Sequence, residues 1–181
     1  MKNIIRGLIL MLALLCAFSA LTACNAEQSN NDNNDGNATT KGTAFYITYE
    51  GTKIELAKKA DGVLSALGEP KSKEELPDCG DFGKQTKYEY DDLMIYTLTN
   101  DNGETIDQIE FLNDIPETEK GVCIGDLSDD VIKAHGEPTK KNDGAIIYTK
   151  NLDGYNLHIK FKIIDGEVDE INFIREFDVA E

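Results

Sequence analysis

Residues 121–138 read GVCIGDLSDDVIKAHGEP, and each part of this stretch has a local structural meaning. Val122 and Ile124 alternate with smaller residues as a strand does, whereas Leu127, Val131 and Ala134 recur at helical spacing. Asp126 or Ser128 is placed to cap the free amides of that helix, and Asp129 and Asp130 set negative charge against the positive end of its dipole. Gly136 suits the left-handed conformation that ends a helix, and Pro138 forbids its continuation. A degenerate copy precedes it at residues 53–70. There Ile54 and Leu56 hand over to a helical stripe of Leu56, Ala60, Val63, Leu64 and Leu67, and Gly68, Glu69 and Pro70 stand 68 positions before Gly136, Glu137 and Pro138. Gly62, inside that helix, costs about 1 kcal/mol against Ala and suggests close approach of another backbone.

Working outward, Phe45, Ile47 and Tyr49 form an alternating strand ahead of the first copy. Behind it come strand-like runs at 87–90, 93–99 and 105–112, with a turn at Asp101, Asn102 and Gly103. Behind the second copy come runs at 145–149, 157–164 and 168–175, with a turn at Asp165 and Gly166. The expected fold class is therefore α+β: a tandem repeat of helix plus antiparallel β-meander units, the first over 43–116 and the second over 117–178. Either unit alone is small for an independent core, so the two are expected to pack together.

The N-terminus is of a different kind. Lys2 and Arg6 precede an apolar run from Ile4 to Leu21, which has the form of a secretory signal. Leu21, Thr22, Ala23 and Cys24 resemble the lipobox of bacterial lipoproteins; the resemblance implies cleavage of a signal peptide spanning 1–23 and a diacylglyceryl group on Cys24. Such a chain is anchored to the extracytoplasmic face of the cell membrane and does not span it. Residues 25–42 carry no large apolar side chain, so with Cys24 they form a lipidated, flexible Asn-rich tether over 24–42. A calcium-loop reading of 32–36 fails on spacing.

The chain carries 34 acidic and 18 basic residues, a net charge of −16, and loss of the signal removes two of the bases. That excess repels nucleic acid and anionic bilayer surfaces and argues against both as partners, though acidity alone selects no ligand. Of four cysteines, Cys16 lies in the signal and Cys24 is the lipid site. Cys79 and Cys123 remain, either bridged, which stabilises by about 4 kcal/mol in the chain-entropy model, or as two separate buried thiols.

The spacing of Gly125, Val131, Gly136 and Pro138 ahead of a β-meander resembles the repeat of the β-lactamase-inhibitor-protein-like superfamily, which includes the SmpA/OmlA outer-membrane lipoproteins. Within it, the chain is similar to Gram-positive-type lipoproteins with two such units, a Cys-containing loop (Pro77, Asp78, Cys79) and a Tyr-x-Tyr strand (Tyr88, Glu89, Tyr90). Ala57 departs from the pattern where the first copy should have its leading Gly, and Leu127 stands where Ser or Thr is usual. The resemblance implies a protein-binding or assembly role on the sheet face that the helices leave open, with no catalytic residues.

On that face the strand alternation sets Met94, Tyr96 and Leu98 in the first unit and His158, Lys160 and Lys162 in the second: an apolar stripe and a basic one on an acidic protein, the expected partner-binding face. His135 and His158 lie in different units and lack a nucleophile context, and no zinc, phosphate-loop or dinucleotide motif is present. The expectation is a non-enzyme without metal or cofactor: a membrane-anchored protein-interaction or inhibitor-type module with a protein partner, the alternative being a lipoprotein that binds a small ligand or divalent cation.

Overall fold

The computed structural model describes residues 44–77, 83–152 and 154–177. Among them the chain forms β1 (Tyr46–Tyr49), β2 (Thr52–Glu55), α1 (Asp61–Leu67), β3 (Ser72–Glu75), β4 (Lys84–Glu89), β5 (Leu93–Asn100), β6 (Gly103–Phe111), α2 (Ser128–His135), β7 (Lys140–Asn142), β8 (Ala145–Leu152), β9 (Tyr155–Ile164) and β10 (Glu167–Phe177). β1 and β2 pair as a hairpin. The other eight strands make one sheet in the order β3-β4-β5-β6-β10-β9-β8-β7, every pairing antiparallel.

The expected tandem repeat of α+β units is thereby corrected. The protein is mostly antiparallel β-sheet, its two described helices are only seven and eight residues long, and the strands do not close into separate three-stranded meanders. Two physical reasons account for the difference. The stripe read as a long first helix begins with Leu56 and Ala60, which are fully buried but not helical; Ala57 takes a positive φ of 61° and Lys59 bridges to Thr105, so this part of the stripe is held on the sheet and the helix starts at Asp61. β3 (SKEE) and β7 (KKN) contain no apolar residue, and only their pairing with β4 and β8 makes them strands.

One face of the sheet carries the core. Tyr88, Ile95, Ile109, Phe173, Ile159 and Tyr148 are register partners in sequence across β4, β5, β6, β10, β9 and β8, and none is more than 7% exposed. A buried row that crosses β6 and β10 without interruption means one core. Ile47, Ile54 and Leu56 of the hairpin region and Val131 of α2 belong to it, with Val63, Leu64 and Leu67 of α1 packed against it.

The quoted stretch docks on this sheet through its backbone. Gly125, at φ 93°, donates its N–H to the carbonyl of Val168 (2.8 Å), whose own N–H returns to Asp126 (2.8 Å). Ala57 makes the corresponding bond to Ile106 (2.9 Å), and Ile106 donates back to Lys58 (2.8 Å). The expected side-chain cap on α2 is absent: Asp126 accepts instead from the Cys123 N–H (2.9 Å), and the Ser128 N–H goes to Gly166 (2.9 Å). Gly136 ends α2 at φ 83° with its N–H on Ile132. A Cβ at Gly62 meets nothing within 4 Å, so no backbone approaches there.

β6 and β10 pair through only three residues each, Asn172↔Glu110, Phe173↔Ile109 and Ile174↔Gln108. A bulge in β6, between partners Tyr96↔Gln108 and Thr97↔Ile106, leaves Asp107 as an extra residue. Where the two strands part, Arg175 reaches across: Nε lies 2.9 Å and Nη2 2.8 Å from Asp107 Oδ1, with the two side chains 4% and 14% exposed. Nη1 donates to Thr105 Oγ1 (3.2 Å), the rings of Tyr155 and Phe177 lie against the guanidinium, and Gln85 donates to the other Asp107 oxygen (3.1 Å).

Candidate functional site

Among the described residues, neither helix nor the β1–β2 hairpin packs on the face opposite the core. Its middle row runs Lys87, Tyr96, Gln108, Ile174, His158, Thr149 by register, and the next runs Glu89, Met94, Glu110, Asn172, Lys160, Ile147, Lys140. These residues are half-buried or exposed, and the hairpin and helices belong to the core side. The structure thus gathers the six residues expected at a partner face onto one side of one sheet. Tyr96 and His158 share a row with two strands between them, about 14 Å apart at ordinary strand spacing, and Met94 and Lys160 share the neighbouring row.

The six do not contribute equally. Leu98 is 4% exposed, flanked by its partners Gln85 and Thr105, and presents nothing to a ligand. Lys162 is committed to Asp169 (2.9 Å) and Glu170, which hold its ammonium well above the ordinary lysine range, Glu170 most. Met94 and Tyr96 remain half-buried; the Tyr96 hydroxyl lies 3.4 Å from Glu110, and burial first, then that carboxylate, pushes its pKa up.

The C-terminal half of this face is concave. A groove of about 540 Å³ is lined by the apolar Ile147 and Ile174, by Lys140 and Lys160, and by Thr139, Thr149, His158 and Glu176, a volume in the range of small-ligand and side-chain pockets. Thr149 Oγ1 is 3.0 Å from His158 Nδ1, and Thr139 Oγ1 accepts the Thr149 N–H (2.9 Å). Glu176 lies 3.2 Å from His158 Nε2, out of line for a hydrogen bond. Strand alternation places Ile147, Thr149, Ile174 and Glu176 on this side. What the sequence did not reveal is the pairing of β6 with β10, which joins them to Tyr96.

His135 belongs to the other face. Its ring packs between Tyr148 and Phe161, at centroid distances of 5.1 and 5.3 Å. The Thr118 hydroxyl accepts the N–H groups of Lys120 and Val122, so its proton points to His135 Nε2 at 3.1 Å and selects the Nδ1-protonated neutral tautomer. Burial above all, then Lys120 and Lys150, pushes its pKa down to about 4.

Cys123 is a half-buried free thiol, its pKa raised by burial and then by Asp126; Cys79 lies outside the described residues, as do Cys24, the signal and the tether. Among the described residues no group of three or more His, Cys, Asp or Glu is placed to hold a metal, and no helix is long and apolar enough to cross a membrane.

No protein-family model matches this sequence, and no curated protein does. Among solved structures, the crystal structure of a DUF4309 family protein (YjgB) from Bacillus subtilis is similar at 19% identity, over 68% of this chain and 82% of that one, with a TM-score of 0.37. A likeness at that level carries neither fold nor function over to this chain.

Proposed function

We propose that the chain is a membrane-anchored extracytoplasmic lipoprotein that binds a protein partner on the open face of its sheet. The observation that carries this reading is the continuous row from Tyr96 to His158, which no described helix or hairpin covers and which is mixed apolar and polar in the manner of docking surfaces. The sheet edges are the less suited surfaces: β3 and β7 are short, fully exposed and charged, the usual protection against strand addition. Cys24 behind its signal sequence supports the anchor.

Two experiments test the reading. Fatty-acid labelling of the chain in its host is expected to be lost in Cys24→Ala. Capture from membrane extracts is expected to recover one saturable protein with the wild type, retained by Lys133→Glu on α2 and lost with Tyr96→Glu/Ile174→Glu at unchanged melting temperature. Retention by the face variant sinks the proposal. The groove favours a second reading, a small-ligand site; a melting temperature indifferent to soluble wall fragments and small anions removes it.

A further inference from the structure

We propose that the groove in the C-terminal half of the open face takes an acidic, extended segment of a protein, with Lys140 and Lys160 holding two carboxylates and Ile147 and Ile174 seating the apolar side chain between them. The inference rests on the docking reading above and narrows it to a chemistry.

Charge complementarity carries it. Three lysines of β7 and β9, Lys140, Lys160 and Lys162, lie on the open face by register. Lys162 holds two carboxylates, whereas Lys140 and Lys160 form no ion pair with any described residue. On the other half of the sheet Lys84 and Lys87 hold Glu75 (2.5 Å) and Glu74 (2.7 Å). In a chain with 34 acids against 18 bases, two unmatched ammonium groups flanking one groove form a local anion site. The carboxylate beside them, Glu176, faces His158.

Spacing selects an extended segment. Lys140, Ile147 and Lys160 are register partners on consecutive strands, so the lysine Cα atoms stand about 10 Å apart with an apolar residue midway. Same-side residues of an extended chain repeat about every 7 Å, so an acid–x–apolar–x–acid sequence sets its carboxylates about 13 Å apart, within reach of two splayed lysine stems. Its central side chain then lies over Ile147 and Ile174. The strongly acidic remainder of the protein repels such a segment everywhere else, which adds specificity of place.

The test uses the full chain in detergent micelles, observed through the methyl resonances of Ile147 and Ile174. Probes are a blocked peptide containing Asp-Gly-Leu-Gly-Asp, its Lys-Gly-Leu-Gly-Lys and Asp-Gly-Ser-Gly-Asp counterparts, octanoate, and inorganic phosphate. Saturable shifts are expected with the first peptide, at least tenfold weaker with the serine peptide and absent with the lysine peptide. Lys140→Glu/Lys160→Glu is expected to abolish them, and Lys162→Glu to leave them within twofold. No saturation by any peptide, equal response to the lysine peptide, or saturation by octanoate or phosphate alone overturns the proposal. A captured partner that survives Lys140→Glu/Lys160→Glu but not Tyr96→Glu/Ile174→Glu removes the acidic-segment assignment and leaves the docking face standing.

Discussion

The two halves of the sheet match on one face and differ on the other. On the core side β4–β6 and β8–β10 supply the same kind of residue to one buried row. On the open side the N-terminal half pairs Lys87 with Glu74, while among the described residues the C-terminal half leaves Lys140 and Lys160 without an ion pair around a groove lined by Ile147 and Ile174. A buried row is held by packing, and almost any change costs stability. An open row is free of that constraint, and the difference between the halves there is where recognition has room to reside.

The comparison is broken most directly at the join. Arg175→Ala strands Asp107 without its cation at the seam of the two halves and is expected to destabilise by about 3–5 kcal/mol, read by denaturant unfolding, because an unpaired buried charge costs far more than the pair returns. Arg175→Met/Asp107→Leu should recover much of that loss; failure to recover would mean that the guanidinium acts by packing on Tyr155 and Phe177 instead. Phe173→Ala, in the middle of the shared row and 5.8 Å from the Phe111 ring, should also lose about 3–5 kcal/mol. A two-state transition that splits into two in either variant would show halves able to unfold separately.

A smaller effect sits under the C-terminal half. His135 has a folded pKa of about 4 against an ordinary 6.5, so the unfolded chain binds its proton first. Its contribution to stability is present above about pH 6.5 and is lost as the pH falls toward 4. His135→Gln, neutral throughout and still able to accept from Thr118, should flatten the melting temperature over that window; an unchanged slope would assign the acid sensitivity elsewhere. The smallest effect concerns Ala57, whose φ of 61° strains a side chain that glycine lacks. Ala57→Gly should change stability by less than about 1 kcal/mol, relief of strain being offset by the greater freedom of the unfolded chain.

Much of the secondary structure was legible in local pattern. The alternation at 93–99, 145–149, 157–164 and 168–175 marks β5, β8, β9 and β10, because a period of two follows from one buried face. The same alternation set Met94, Tyr96, His158 and Lys160 outward. It misjudged Leu98 and Lys162, since burial by register partners and capture by Asp169 and Glu170 depend on neighbours distant in sequence or across a hairpin.

By itself, then, the sequence determined which residues turn inward and outward along each long strand, where Asp165-Gly166 and Gly136 turn the chain, and that the surface is acidic, since all of these follow from local periodicity, backbone sterics and composition. Only the tertiary structure decided that SKEE and KKN are edge strands, that β6 lies beside β10, and that Ile147, Ile174, Lys140 and Lys160 meet in one groove. Strand pairing is a non-local choice, made where the summed burial of Tyr88 through Tyr148 in a single core outweighs two smaller ones, and no short window of sequence contains that sum.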